Sequence, residues 1–268
     1  MCLIIFAYQA HKEFPLLVAA NRDELYERAS EASHFWPDKP DLLAGRDCCA
    51  NGTWMGISKR GRFAGVTNGI QAKKPDLQVL SRGSLTVDFL AGEMSAEQYA
   101  REVHSRAGNF NSFNLIVYDM KSMWYVNSNS DSLSQSACKL APGIYGLSNA
   151  GMYSAWPKCE IGRKRMSTLL DNNSFEFKDL SKAISSRKLA PKSQLKNLGL
   201  CEQKDLLLSS QFVSTETYGT RCSTLVSINS KQTARWLENS FDSSCKLIGS
   251  IDKVFDLKLN SNTRNPDE

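Results

Sequence analysis

The chain has 268 residues, and 33 Lys and Arg against 28 Asp and Glu give a formal net charge of +5. Hydrophobic residues make up 41% and charged residues 23%. These are ordinary globular values, so disorder, collagen and coiled coil are excluded as descriptions of the whole chain. No apolar run approaches the ~20 residues of a membrane-spanning helix.

Residues 2–8 and 15–20 are apolar runs separated by polar residues, which predicts a buried hairpin whose exit carries Asn21-Arg22-Asp23-Glu24. The first run has no basic n-region and no small-residue cleavage site, so it reads as a strand rather than a secretion signal, and the expected location is cytoplasmic. Residues 29–52 show no clear period, contain Pro37 and Pro40, and read as a long surface loop. A second hairpin is predicted over 53–58 and 62–67, closed by Asn68-Gly69. Helices follow over 81–91 and 96–104, the second opened by Ser95 with Gln98 three residues on, a capping box. Strands are predicted over 113–118 and 123–126, and a third over 143–149 ends in a turn.

Pro157 suits the first turn of a helix running to about Leu170, with another helix near 177–185 and a basic loop over 186–200. A late hairpin pairs 224–228 with 234–238. Residues 257–268 are polar and read as a frayed tail, leaving a single domain over 1–256. Strands arrive in groups rather than alternating with helices, which favours antiparallel sheets covered by helices over a doubly wound parallel sheet.

Residues 156–200 hold ten basic residues against four acidic ones. The run reads either as a solvated face or as a surface for anionic partners, such as an anionic membrane leaflet or a carboxylated or phosphorylated ligand. Eight Cys and three His are present, with no Cys-x-x-Cys and no two His at ligand spacing, so no metal site is expected. Phosphate-binding glycine loops, His-Glu-x-x-His and Gly-x-Ser-x-Gly are missing, as is any aromatic-basic RNA-binding motif; nucleic acid is not an expected partner.

Cys2 reads either as a plain small residue in a buried edge strand or as the residue that carries the chemistry. Methionine removal proceeds when the second residue is small, and Cys2 then starts the chain. Its α-amine (about 8) and thiol (about 8.5) exchange a proton near neutral pH. The amine serves as base while the sulfur attacks a carbonyl, the N-terminal nucleophile arrangement.

Met1-Cys2-Leu3-Ile4, Asn21-Arg22-Asp23-Glu24, Gly52-Thr53-Trp54-Met55-Gly56-Ile57, Thr67-Asn68, Ser81-Arg82-Gly83, Phe113-Asn114-Leu115-Ile116, Tyr145-Gly146-Leu147-Ser148-Asn149 and Tyr218-Gly219-Thr220-Arg221 together resemble the NRDE family, also called the transport and Golgi organisation 2 family. The resemblance implies an α+β fold, a four-layer α/β/β/α sandwich similar to the N-terminal nucleophile (Ntn) hydrolases of the penicillin V acylase and bile-salt hydrolase type. It implies Cys2 as nucleophile, Arg22 beside it, Asp23 as the carboxylate for the amine, Asn68 and Asn149 near the oxyanion, and Arg221 as the distal arginine.

One position departs from the acylase pattern. There the Asp lies three residues after the Arg, whereas here Asp23 follows Arg22 directly and Leu25 stands at the third position. That departure tilts the reading towards a carrier or chaperone in haem trafficking or membrane-lipid homeostasis, roles implied by the resemblance, with an N-terminal-Cys hydrolase of amide or thioester bonds as the alternative. The expected ligand is a small amphipathic anion, haem or an acyl compound. Trp54 and Phe63 would supply apolar walls near Asn68, and Arg22 and Arg221 the cations. Catalysis requires no cofactor on this reading, and haem would be cargo without an axial His ligand.

Overall fold

Uninterrupted apolar runs such as Cys2–Tyr8 and Leu16–Ala20 arise because both faces of these strands are covered. In the computed structural model, which describes residues 2–70, 76, 78–129, 137–172, 175–197 and 203–258, Leu3, Ile5, Leu17 and Ala19 face Cys159 and Met166 of a helix. Their neighbours Ile4, Phe6, Val18 and Ala20 face a second sheet. A strand places successive side chains on opposite faces, so each of these positions finds an apolar partner.

The first sheet contains β1 (Cys2–Tyr8), β2 (Leu16–Leu25), β10 (Gly143–Leu147), β11 (Tyr218–Ile228), β12 (Thr233–Phe241) and β13 (Leu247–Asp256), in the order β10-β1-β2-β11-β12-β13. The second is a meander of β3 (Ser30–Trp36), β4 (Lys39–Asp47), β5 (Met55–Ser58), β6 (Phe63–Asn68), β7 (Phe113–Tyr118), β8 (Met123–Asn127) and β9 (Ala137–Lys139). Helices α1 (Arg82–Ala91) and α2 (Ala96–Ser105) cover the second sheet through Phe89, Leu90, Tyr99 and Val103. Helix α3 (Pro157–Asp171) covers the first. The result is the four-layer α/β/β/α sandwich, with all named strand pairs antiparallel.

Several elements differ from the sequence expectation. The segment read as a loop over 29–52 contains β3 and β4, joined by a tight turn at Pro37-Asp38. Its register shifts between Glu31 and His34 and again between Phe35 and Trp36, and such irregularities erase the period of two that marks a strand. β13 lies at the sheet edge with most of its side chains exposed, so no burial pattern marks it. The helix near 177–185 is a 3-10 helix over Phe177–Ala183. Within the basic loop, Lys192–Asn197 forms the short helix α4, and Gln203–Leu207 forms α5. Leu257, counted with the tail, is buried against the inter-sheet core. Residues 259–268 of that tail lie outside the described residues.

Candidate functional site

Cys2 and Arg22 are directly opposed in the β1–β2 ladder, and Arg22 is opposed in turn by Cys222 of β11. A break in register between Thr220 and Cys222 interrupts the β2–β11 ladder, which resumes as far as Tyr218 opposite Leu25. Above the row lies a cleft of about 710 Å³ whose lining includes Cys2, Arg22, Trp54, Asn68, Arg82 and Arg221. Gly52 and Gly83 let the loop before β5 and the start of α1 meet at the rim. A Cβ on Gly52 would lie 2.7 Å from the Gly83 carbonyl carbon.

The Cys2 backbone nitrogen donates to Asn149 Oδ1 at 3.1 Å. Asn149 belongs to a turn that Asn114 ties down, its Nδ2 donating to the carbonyls of Ser148 (3.3 Å) and Asn149 (3.4 Å). Tyr125 in turn donates its hydroxyl to Asn114 Oδ1 at 2.7 Å. Asn68, at the end of β6, is exposed to the cleft. With Asn149 Oδ1 engaged by the Cys2 nitrogen, its Nδ2 is the side available for donation.

Burial pushes the Cys2 thiol up. The nearby amino-terminal charge, Arg22 and the Asp23 backbone N–H pull it down, whereas the Asp23 carboxylate adds to the rise. Arg22 therefore favours the thiolate but is outweighed by the loss of water. Its guanidinium also faces Glu24 at 3.7 Å and Asp47 at 3.9 Å, and Arg28 holds Asp47 at 2.8 Å. Arg82 is more sparsely engaged: Nη1 donates to the Ser112 carbonyl at 3.1 Å, and no carboxylate lies within ion-pair distance of it among the described residues.

Asp23 occupies the opposite, helix-covered face of β2. It is buried, at 1% exposure, and accepts from Thr220 Oγ1 at 2.7 Å. Burial pushes its carboxyl up, against the charges of Lys158, the amino terminus and Arg22 and the Thr220 hydrogen bond. Leu25, the third residue after Arg22, is 41% exposed at the strand end and supplies no group to the cleft. Arg221 lies at the cleft, but its Nη1 donates to the carbonyls of Leu25, Tyr26 and Arg28 at 2.9–3.0 Å. It thus braces the chain after β2. Phe63, expected as an apolar wall, is fully buried between the sheets at the far end of β6, while Trp54 does line the cleft.

The structure adds two residues that sequence reasoning missed. Arg82 sits inside the Ser81-Arg82-Gly83 motif, whose presence was the available signal. Lys158 was counted in the basic surface run, yet it is completely buried in the first turn of α3, behind Cys2. None of His11, His34 or His104 lines the cleft, and the described residues contain no cluster able to hold a metal ion.

The sequence family described as Transport and Golgi organisation 2 matches residues 1–243. The chain belongs to that family. The mouse Transport and Golgi organization 2 homolog is 28% identical over 90% of this chain and 98% of its own length. The human Transport and Golgi organization protein 2 homolog is 34% identical over 61% of this chain and 62% of its own. Among solved structures, the Cys-to-Ala mutant of conjugated bile acid hydrolase from Clostridium perfringens is similar over 99% of this chain and 100% of its own. The identity is 12% and the TM-score 0.43. A Caenorhabditis elegans ortholog of N-acylethanolamine-hydrolyzing acid amidase covers 84% of this chain and 92% of its own, at 12% identity and a TM-score of 0.42.

Proposed function

We propose that this member of the Transport and Golgi organisation 2 family is an N-terminal-cysteine hydrolase of amide or thioester bonds in small amphipathic anionic acyl compounds. The observation that carries the reading is the Cys2 nitrogen held by Asn149 at the floor of a cleft, with Arg22 across the ladder and Asp23 buried behind. On this reading Asp23, buried on the helix-covered face of β2, stands in for the carboxylate expected where Leu25 lies. The carboxylate need not come from three residues on.

On this reading, loss of Met1 turns the Cys2 nitrogen into an α-amine. The amine takes the thiol proton as Sγ attacks the acyl carbonyl, and Asn149 Nδ2 and Asn68 donate to the developing oxyanion, each donor worth about 3 kcal/mol. The C–N or C–S bond breaks as the leaving group takes that proton. Water then cleaves the S-acyl intermediate and gives its proton to the amine, and the thiol is restored. Arg82, with donors to spare, receives the anionic end of the ligand.

A second reading, carriage of haem or an acyl anion without turnover, is favoured by the burial that pushes the Cys2 thiol up and so disfavours the thiolate. The two are separated by Cys2→Ala, tested on short acyl amides and thioesters with ligand binding followed in parallel. The hydrolase reading expects turnover to fall at least a hundredfold with binding retained. Wild-type turnover in the Ala variant overturns it. No turnover in the wild-type protein, together with saturable haem binding that weakens with salt, supports carriage.

A further inference from the structure

Where the turn after β10 meets the second sheet, four polar residues lie inside the molecule. Thr67 on β6, Asn114 on β7, Tyr125 on β8 and Ser148 beyond β10 are all buried. Buried polar groups persist where each finds a partner, and here the partners converge on one short stretch of backbone. The Ser148 carbonyl accepts from Thr67 Oγ1 at 3.2 Å and from Asn114 Nδ2 at 3.3 Å. The Asn149 carbonyl accepts from Asn114 Nδ2 at 3.4 Å and from the Ile70 N–H at 3.2 Å. The Met152 N–H donates to the Tyr125 hydroxyl at 3.4 Å. Three strands of the second sheet thus grip the turn whose Asn149 side chain reaches the Cys2 nitrogen on the first.

The chemistry of the groups fixes the direction of these bonds. Backbone carbonyls only accept, so Asn114 turns Nδ2 towards them and Oδ1 towards Tyr125. Oδ1 also only accepts, so the Tyr125 hydroxyl donates to it, at 2.7 Å, and keeps a lone pair for the Met152 N–H. Leucine at 114 has a similar size but would strip one donor from each carbonyl and leave the buried Tyr125 hydroxyl without its acceptor.

We propose that Asn114, oriented by Tyr125, is a positioning residue for Asn149. It holds the carbonyls of Ser148 and Asn149, and so aims the Asn149 carboxamide with Oδ1 on the Cys2 nitrogen and Nδ2 free for the cleft. The same amide bears on Asn68. Its Nδ2 donates to Thr67 Oγ1 at 3.2 Å, Thr67 stands opposite Asn114 in the β6–β7 ladder, and Asn68 is the next residue. One buried side chain therefore sets the two cleft asparagines relative to each other. The consequence for acyl transfer rests on the hydrolase reading above; the placement of Asn149 does not.

The test compares two reactions of Cys2. Attack on the carbonyl of p-nitrophenyl acetate passes through an oxyanion, whereas alkylation by iodoacetamide does not. Both rates are measured on the Cys2 peptide by mass spectrometry, and their ratio separates oxyanion donation from thiol access and ionisation. Asn114→Leu and Tyr125→Phe are made in the full-length chain and again in Asn149→Ala. Tyr118→Phe is the control, since it removes a phenol from the same core four residues along β7 from Asn114. A donor misplaced by about 1 Å can lose up to about a hundredfold in rate. The acylation-to-alkylation ratio should fall about tenfold in Asn114→Leu and about threefold in Tyr125→Phe, hold in Tyr118→Phe, and fall no further in the Asn149→Ala background. An unchanged ratio in either folded variant, or an equal fall in both backgrounds, overturns the proposal. Should Asn114→Leu fail to fold, Tyr125→Phe, which keeps the ring and its packing, carries the test alone.

If Cys2 of the wild-type protein takes no acyl group, the hydrolase reading fails on that result, and the placement of Asn149 is read directly by NMR. The side-chain amide signals of Asn149, assigned by their loss in Asn149→Ala, should move in Tyr125→Phe and stay in Tyr118→Phe. Signals that hold their position in Tyr125→Phe, or move equally in both variants, overturn the proposal.

Discussion

Cys2 is surrounded by opposing influences, and their ranking decides what each neighbour does. Loss of water raises the thiol, Arg22 lowers it and Asp23 raises it. Arg22→Ala therefore moves the midpoint of Cys2 alkylation to higher pH and slows alkylation at fixed neutral pH by roughly two- to tenfold. An unchanged rate-against-pH profile would show that the Arg22 charge is spent on Glu24 and Asp47 and does not reach the sulfur.

At this scale the sequence was informative where chemistry and spacing coincide. Cys2 could be named from its own chemistry, whereas Arg22, Asn68 and Asn149 were named through the family resemblance of the motifs that hold them. The assignments to Arg221 and Phe63 were less informative. A guanidinium that donates to three backbone carbonyls and a phenyl ring at the far end of its strand are set by chain paths that local pattern does not encode. Lys158 was invisible for a different reason: composition places lysine at the surface, and only the tertiary approach of α3 to β2 shows that it is inside.

Among the elements, α3 and the central strands β1 and β2 position the site from behind, and their approach depends on Gly162. A Cβ there would meet Ile5 Cδ1 at 2.5 Å and the Ala183 carbonyl oxygen at 3.0 Å. Gly162→Ala gains helix propensity of up to about 1 kcal/mol. Overpacking against a fully buried strand residue costs about 1–3 kcal/mol, so the expected net outcome is destabilisation, seen as a lower denaturant midpoint with an unchanged slope. A stabilised variant would mean that α3 has room to retreat from β1.

The capping box of α2 and the proline start of α3 were legible because they are local contacts, within three residues. Strands β3 and β4 were not, since register shifts break their alternation. The edge strand β13 was not either, because an exposed strand leaves no hydrophobic period. The ladder between β2 and β11, which sets Arg22 beside Cys222, joins segments about 200 residues apart and has no local signature at all.

On the scale of the whole molecule, the four layers were implied by the family resemblance, with the grouping of strands and helices in agreement, and the order of strands came only from the fold. The cleft exists because the two sheets part at the end where β1 begins and β2 leaves the sandwich. Apart from Arg82, at the start of α1, every group proposed to act lies within a few residues of a strand end. The basic run over 156–200 loses its innermost member to the interior. No helix among the described residues is long and apolar enough to cross a membrane.

The central claim is that Cys2 becomes a free amino-terminal nucleophile in this cleft. It is tested most directly by the intact mass of the purified protein before and after brief exposure to a thiol-directed acylating probe, with the modified peptide mapped. Because Cys48 and Cys49 are exposed, the map rather than the total mass assigns the adduct. The account predicts a chain lacking Met1 and an acyl group on Cys2 that the Cys2→Ala variant does not acquire. A chain that retains Met1, or a Cys2 left unmodified while Cys48 and Cys49 react, would contradict it.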